Sequence, residues 1–295
     1  MKRVEYLSYF LEHWNYPEGA REVFLDAYRK LESSSAYATF ERKLQAYEKT
    51  PDLDLKGLLS DQEQLSVESG VQRYTLDFLL LALMTEHLVV LLREKGISEE
   101  IIDKTIMDLY YKNEECWCIY GIWGNFVASW CIEMYDCSRV GLGRLQFELI
   151  PFGRHYEKDG IVLDKDDKVI NIHIPRDGSR LSKESIDDAL LRAKEFYKPY
   201  FQNRPMAFYC FSWLIYPDNL SILPENSNLR VFASYFDILG KETYRNWRDC
   251  AWRLFDTLEA NASKLPEDTS LRRAYKKHLM EGGAMGEGIG IRIVE

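Results

Sequence analysis

The sequence has no surplus of positive charge: 38 Lys and Arg stand against 47 Asp and Glu, a formal net charge of -9. A sequence-independent grip on nucleic acid needs a basic stripe to replace condensed counterions, and its absence argues against that class of partner. The pairs Arg272-Arg273 and Lys276-Lys277 lie among acids and read as a solvated helix face. Long apolar runs are missing as well. The greasiest stretch, Phe78 to Met84, is bounded by Asp77 and by Glu86-His87. A bilayer span needs about 20 mostly uncharged residues, so this segment is expected to be a core helix and no membrane partner is expected. Met1-Lys2-Arg3-Val4-Glu5 meets an acid before any apolar stretch, and no small-residue cleavage site comes after it. The expectation is a cytoplasmic protein.

Cysteine is sparse, with six in 295 residues, too few for a disulfide framework. No C-x2-C pair is present to seed a zinc site. Cys116 and Cys118 sit in a helical pattern, where i and i+2 point about 200° apart. No metal is therefore expected, and Cys116, Cys118, Cys131 and Cys137 are read as buried small hydrophobes.

What is present is two kinds of periodicity. Val4, Leu7, Phe10, Leu11 and Trp14 recur at helical spacing, as do Val23, Phe24, Ala27, Tyr28 and Leu31. Thr50 to Leu65 reads as a polar connection with a helical turn. Thr75 is placed to cap a long helix that Gly96 stops, and Ser98 to cap the next. Gly121-Ile122-Trp123-Gly124 predicts a bend with close backbone approach. Near Arg139 the period falls from 3.6 to 2, with Leu145, Phe147 and Leu149 alternating with Gln146 and Glu148. The chain is thus expected to divide into a helical domain, residues 1–138, and a mixed α/β (α+β) domain, residues 139–295. Asp164 to Lys168 suggests a hairpin between Gly160–Leu163 and Val169–Ile174. Met206 to Ile215 and Gly288 to Val294 read as strands, and Ser270 to Met280 as a helix.

The most informative stretch is the strand from Val169 to Ile174 together with the loop after it. Ile170, Ile172 and Ile174 share one face, Asn171 and His173 the other. Arg176-Asp177-Gly178-Ser179-Arg180-Leu181-Ser182 then leads into a helix that Ser182 is suited to cap. Free amides and the helix dipole make such a junction an anion site suited to a pyrophosphate, although ordinary strand-to-helix turns also contain Gly and Ser. In the next strand Cys210 and Ser212 share a face, opposite to that of Tyr209 and Phe211. If the two strands are neighbours, Cys210 and Ser212 are expected to join Asn171 and His173 around a cleft. The plainer alternative is a sheet face covered by water or by the helical domain.

Six motifs together resemble a bacterial acyltransferase-domain family with a helical N-terminal domain and a GNAT-like C-terminal domain. They are Tyr-Gly-Ile-Trp-Gly (Tyr120 to Gly124), Gly-Arg-Leu-Gln-Phe-Glu (Gly143 to Glu148), Asn-Ile-His-Ile-Pro (Asn171 to Pro175), Ser-Trp-Leu (Ser212 to Leu214), Leu-Pro-Glu-Asn-Ser-Asn (Leu223 to Asn228) and Leu-Pro-Glu-Asp-Thr-Ser-Leu (Leu265 to Leu271). The resemblance implies a central strand that splays from its neighbour. Pantetheine of acetyl-CoA or another acyl-CoA lies in the gap, on the backbone of Ile172 and Ile174. It also implies a pyrophosphate on Gly178, Ser179 and Arg180, with charge from Arg176 or Arg180. The superfamily loop usually reads Gln/Arg-x-x-Gly-x-Gly/Ala, which Arg176, Gly178 and Ser179 echo loosely, and relatives often carry a histidine where Phe211 stands.

The implied reaction moves an acyl group from acyl-CoA to an amine, so the amine loses a proton and the departing thiolate gains one. His173 is the first candidate base, with Glu148 second. Ser212 and Tyr209 are candidate acids, and alternation allows only one of them. Asn171 and Cys210 are candidate substrate contacts. Two other classes stand beside this reading: a GNAT-like module that holds acyl-CoA or a peptide without turnover, and thiol chemistry pairing Cys210 with His173.

Overall fold

The computed structural model describes residues 2–50, 53–202 and 204–294. It divides into two compact units, Met1–Val140 and Gly141–Glu295.

The first unit is helical: α1 (Arg3–His13), α2 (Glu18–Glu32), α3 (Tyr37–Lys49), α4 (Gln62–Ser69), α5 (Arg73–Glu94), α6 (Glu99–Tyr120) and the single turn α7 (Ala128–Cys131). Helix α5 is apolar on every side, which is the pattern of a helix enclosed by others. It touches each of the other six, and Leu76 and Phe78 to Ala82 are wholly removed from solvent. By length and composition it could cross a membrane, but within this unit its sides are occupied by protein. Phe78 stacks on Phe24 of α2 with ring centroids 4.0 Å apart. Burial of one such side chain contributes about 1.5–3 kcal/mol.

Thr75 does not cap α5. The helix begins two residues earlier, and the Gln72 side-chain oxygen accepts from the Thr75 amide at 3.1 Å. The Thr75 hydroxyl instead donates to the Trp123 carbonyl at 2.8 Å, tying down the expected bend. There a Cβ on Gly124 would stand 2.5 Å from the Tyr74 carbonyl carbon, so only glycine fits. The expectation of four buried thiols fails at Cys118, which is exposed, and at Cys137, which is half-buried. The i, i+2 spacing that separates Cys116 from Cys118 turns the latter outward.

The second unit contains β1 (Arg139–Leu142, begun at the junction), β2 (Leu145–Pro151), β3 (Tyr156–Lys158), β4 (Ile161–Leu163), β5 (Lys168–His173), α8 (Lys183–Tyr197) and β6 (Met206–Ser212). Then come α9 (Pro217–Leu220), α10 (Asn228–Ala233), β7 (Asp237–Thr243), α11 (Arg248–Phe255), α12 (Ser270–Met280) and β8 (Gly286–Val294). Among the described residues, six strands form one mixed sheet in the order β1-β2-β5-β6-β8-β7.

The expected hairpin is displaced. Strand β4 pairs with β3, not β5, across Asp159-Gly160, both at positive φ (53 and 80°). Asp-Gly is the sequence a two-residue primed turn demands, whereas Asp164 to Asp167 only links one sheet to the next. Freed from β4, β5 pairs antiparallel with β2. Strand β6 also ends earlier than expected. The Ser212 hydroxyl accepts from the Leu214 amide at 3.2 Å and starts a 3-10 turn, Trp213–Ile215. That turn presses on β8, where a Cβ at Gly288 would stand 2.1 Å from the Ile215 carbonyl oxygen.

Candidate active site

Three side chains from two adjacent strands converge. The antiparallel register sets Gln146 against His173 and Glu148 against Asn171, so all four project from one face of the sheet. One oxygen of Glu148 (Oε1) lies 2.8 Å from His173 Nε2 and accepts from the Asn171 amide nitrogen at 2.9 Å. A carboxylate accepts only, so Nε2 of His173 carries the proton and Nδ1 holds the lone pair of the neutral ring. As the acceptor, Glu148 thereby fixes the ring's tautomer. The His173 and Glu148 side chains are 19% and 14% exposed, partly desolvated yet still reachable. Gln146 is buried, and its side-chain oxygen lacks a hydrogen-bond partner among the described residues.

Strand β6 runs parallel to β5, with Ile170 registered to Phe208 and Asn171 to Tyr209. Tyr209 therefore shares the face of the His173 cluster. Cys210 and Ser212 point to the opposite face, which corrects the expectation that they join Asn171 and His173. Ser212 is in addition occupied with the Leu214 amide. Burial pushes the Cys210 thiol well above its ordinary range, so neither its placement nor its ionisation supports a Cys210–His173 pair. Of the two candidate acids, only Tyr209 faces the histidine. Among the described residues the last registered pair between β5 and β6 is Asn171 with Tyr209. Further along the shared face Phe152, just after β2, and Tyr156 and Leu163 of the β3–β4 hairpin pack with Val169, Ala207, Tyr209, Ile289 and Ile291.

Beyond β5 the chain turns through the loop expected to hold a pyrophosphate. Gly178 has φ 73°, a left-handed conformation. The Ser182 hydroxyl accepts from the Ser185 amide at 3.2 Å, and the Ser185 hydroxyl accepts in return from the Ser182 amide at 3.0 Å, which caps α8. The loop is also tied to its own acids. Asp177 Oδ1 accepts from both the amide and the hydroxyl of Ser179, at 2.9 and 2.7 Å. Arg176 pairs with Asp256, which also receives Arg272. Arg180 donates to the Asn228 side-chain oxygen at 3.3 Å. Arg144 holds the Pro175 carbonyl at 2.7 Å and lies 3.1 Å from Asp177. Sequence reasoning missed Asp256 and Arg144. Asp256 is 80 residues from Arg176, and no local pattern connects them; the Asp177 turn was legible in Asp-Gly-Ser.

Residues 140–292 match the family model described as the GNAT-like C-terminal domain, and residues 5–137 match the N-acyltransferase N-terminal domain. The chain belongs to this N-acyltransferase family. Its fold is similar to that of a solved acyltransferase in complex with decanoyl-CoA and teicoplanin, at 19% identity and a TM-score of 0.73. It is likewise similar to a mutant acyltransferase in complex with octanoyl-CoA, at 20% identity and a TM-score of 0.74. Both likenesses cover 97% of this chain and 86% of the other. No curated protein matches the chain.

Proposed function

We propose that this N-acyltransferase family member moves an acyl group from acyl-CoA to an amine in the cytoplasm. One observation carries the reading: the Glu148–Asn171–His173 cluster stands at the end of β5, next to the last registered pair of β5 and β6 and just before the loop that leads into the capped helix α8. In the proposed complex β5 and β6 separate beyond their last registered pair, and the backbone N–H and C=O groups they then present need partners. An extended, amide-bearing pantetheine supplies them at Ile172 of β5 and at Ile174 just after it. The thioester carbonyl then lies beside His173. The amine's nitrogen forms a bond to that carbon and passes its proton to His173, whose charge Glu148 stabilises. The carbon–sulfur bond breaks, and the departing thiolate takes a proton from Tyr209. Asn171 donates to Glu148 and helps to hold the carboxylate in place. Gly178, Ser179 and Arg180, with Arg176, receive the pyrophosphate once Asp177 and Asp256 yield.

That last condition favours a second reading, a module that binds without turnover. The Ser179 amide and the Arg176 guanidinium are already engaged by carboxylates, so the loop must reorganise before it binds a phosphate. Calorimetry with CoA, acetyl-CoA, octanoyl-CoA and decanoyl-CoA, and then thiol release against a panel of amines that includes teicoplanin, separates the two. Donor chain lengths and the glycopeptide are chosen from what the similar structures hold. The transferase reading predicts binding, amine-dependent thiol release, and added stability of about 2.7 kcal/mol at 100 times Kd. Binding without thiol release supports the module; no CoA binding removes the transferase reading and leaves, of the module, only its peptide-holding form.

A further inference from the structure

Gln146 stands on the same sheet face as the Glu148–Asn171–His173 cluster, directly across the strand pair from His173. It is only 2% exposed, and its side-chain oxygen (Oε1) is buried with no hydrogen-bond partner among the described residues. An amide oxygen taken out of water and given no donor costs stability. For folding alone, an apolar side chain of the same size would serve better here. The use of the oxygen is therefore to be sought in an N–H or O–H that arrives with a substrate.

Its position decides which one. Directly opposed residues of an antiparallel pair hold their Cβ atoms about 4.5–5.5 Å apart, so the Gln146 amide and the His173 ring are neighbours. A nitrogen that gives its proton to His173 must come within hydrogen-bond reach of that ring, and so beside Gln146. A primary amine carries two N–H groups. One proton passes to His173 as the nitrogen bonds to the thioester carbon. The other stays on the nitrogen throughout and remains in the amide product. The nitrogen gains positive charge while the new bond forms, and a hydrogen bond from it to a neutral carbonyl oxygen strengthens toward the transition state. A carboxamide also has no affinity for the reacting proton, so it does not compete with the base.

We propose that Gln146 orients the acceptor: its Oε1 accepts the N–H that a primary amine keeps, which aims the nitrogen lone pair at the thioester carbon. This rests on the transferase reading above and adds a residue on the amine's side of the reaction. Gln146→Met keeps the length of the side chain and removes the oxygen. Full-length wild type and variant are compared in steady-state assays with acetyl-CoA and octanoyl-CoA in turn. The acceptors are the primary amines of the panel, with benzylamine and N-methylbenzylamine added as a matched pair. For every primary amine that wild type acylates, kcat should fall about 10–100-fold, the loss expected for one charge-assisted hydrogen bond. Affinity for both acyl-CoA donors, read by calorimetry, should stay within about twofold. N-methylbenzylamine has a single N–H, which goes to His173, so its rate should suffer far less than that of benzylamine. The melting temperature of the variant should rise, because an unpaired buried oxygen has been removed. An unchanged kcat with primary amines, or an equal loss with benzylamine and N-methylbenzylamine, overturns the role of Gln146 and leaves the transferase reading standing. A lower melting temperature together with weaker acyl-CoA binding makes Gln146 structural and overturns it as well. Failure of wild type to acylate any primary amine overturns both.

Discussion

Asp77 offers a stability test that runs opposite to the usual behaviour of carboxylates. It lies in the first turns of α5 and is buried, with one oxygen 3.0 Å from the Arg73 guanidinium. Its other oxygen is buried without a hydrogen-bond partner among the described residues. Desolvation outweighs the arginine and pushes the carboxyl from its ordinary 3.8 up to about 6. Between those two values the native state holds the proton while the unfolded chain has released it. Stability therefore falls as pH rises through that window, and is flat below and above it. The gap between the two values, at about 1.36 kcal/mol per pH unit, comes to about 3 kcal/mol. Asp77→Asn removes the titration, keeps the size and retains a polar partner for Arg73. Urea unfolding of wild type and variant should be compared at steps from pH 4 to 7, on the difference between the two, because groups common to both cancel. The variant should gain about 2.4 kcal/mol on wild type across that range, nearly all of it below about pH 6.5. A difference that is constant with pH, or that moves in favour of wild type as pH rises, would refute the account of Asp77.

His173→Gln should lower kcat by roughly 10²–10⁴ with CoA affinity unchanged; retention of wild-type rate and pH profile would move the base to Glu148. Glu148→Gln keeps an acceptor for Nε2 but removes the charge that favours imidazolium. The acid limb of its pH–rate profile should therefore move to lower pH, which a merely structural change would not produce, and a limb that stays in place would separate Glu148 from the histidine's titration. Asp256→Asn releases Arg176 and should tighten CoA binding several-fold at low salt; unchanged affinity would place the pyrophosphate away from Arg176. Gly288→Ala sets a methyl 2.1 Å from the Ile215 carbonyl oxygen. It should cost at least the roughly 1–3 kcal/mol typical of overpacking, and a melting temperature within about a degree of wild type would contradict that contact.

Local pattern revealed much of this arrangement. Alternation placed Asn171 and His173 on one side of a strand, and Gln146 and Glu148 on one side of another. Ser182 was legible as a cap because a hydroxyl stood just before a helical stripe. The side to which β6 turns was not legible. Alternation divides Tyr209 and Phe211 from Cys210 and Ser212, but which pair meets His173 depends on the register between β5 and β6. That register is a tertiary fact, and the helix between the two strands hides it from local reading. The hairpin was misplaced because the acidic cluster at Asp164 to Asp167 outweighed the shorter Asp159-Gly160 signal, although only the latter provides two residues suited to positive φ. Asp256 was invisible for a different reason: its partner is joined to it by space alone.

The place of β8 in the sheet bears on how the protein is made. It is the last strand in the sequence, yet it lies between β6 and β7. Strand β7 has no other sheet neighbour among the described residues, and β6 has only β8 on that flank. On a ribosome, where domains fold in the order they emerge, the helical unit can close early, because its central α5 and every helix it touches precede residue 140. The sheet cannot. Until Gly286 to Val294 leave the exit tunnel, β6 and β7 expose bare edges, the kind of surface that recruits other strands. For that interval the emerging polypeptide depends on whatever shields nascent chains, and a truncation that removes β8 should be recovered as aggregate rather than as a smaller folded protein.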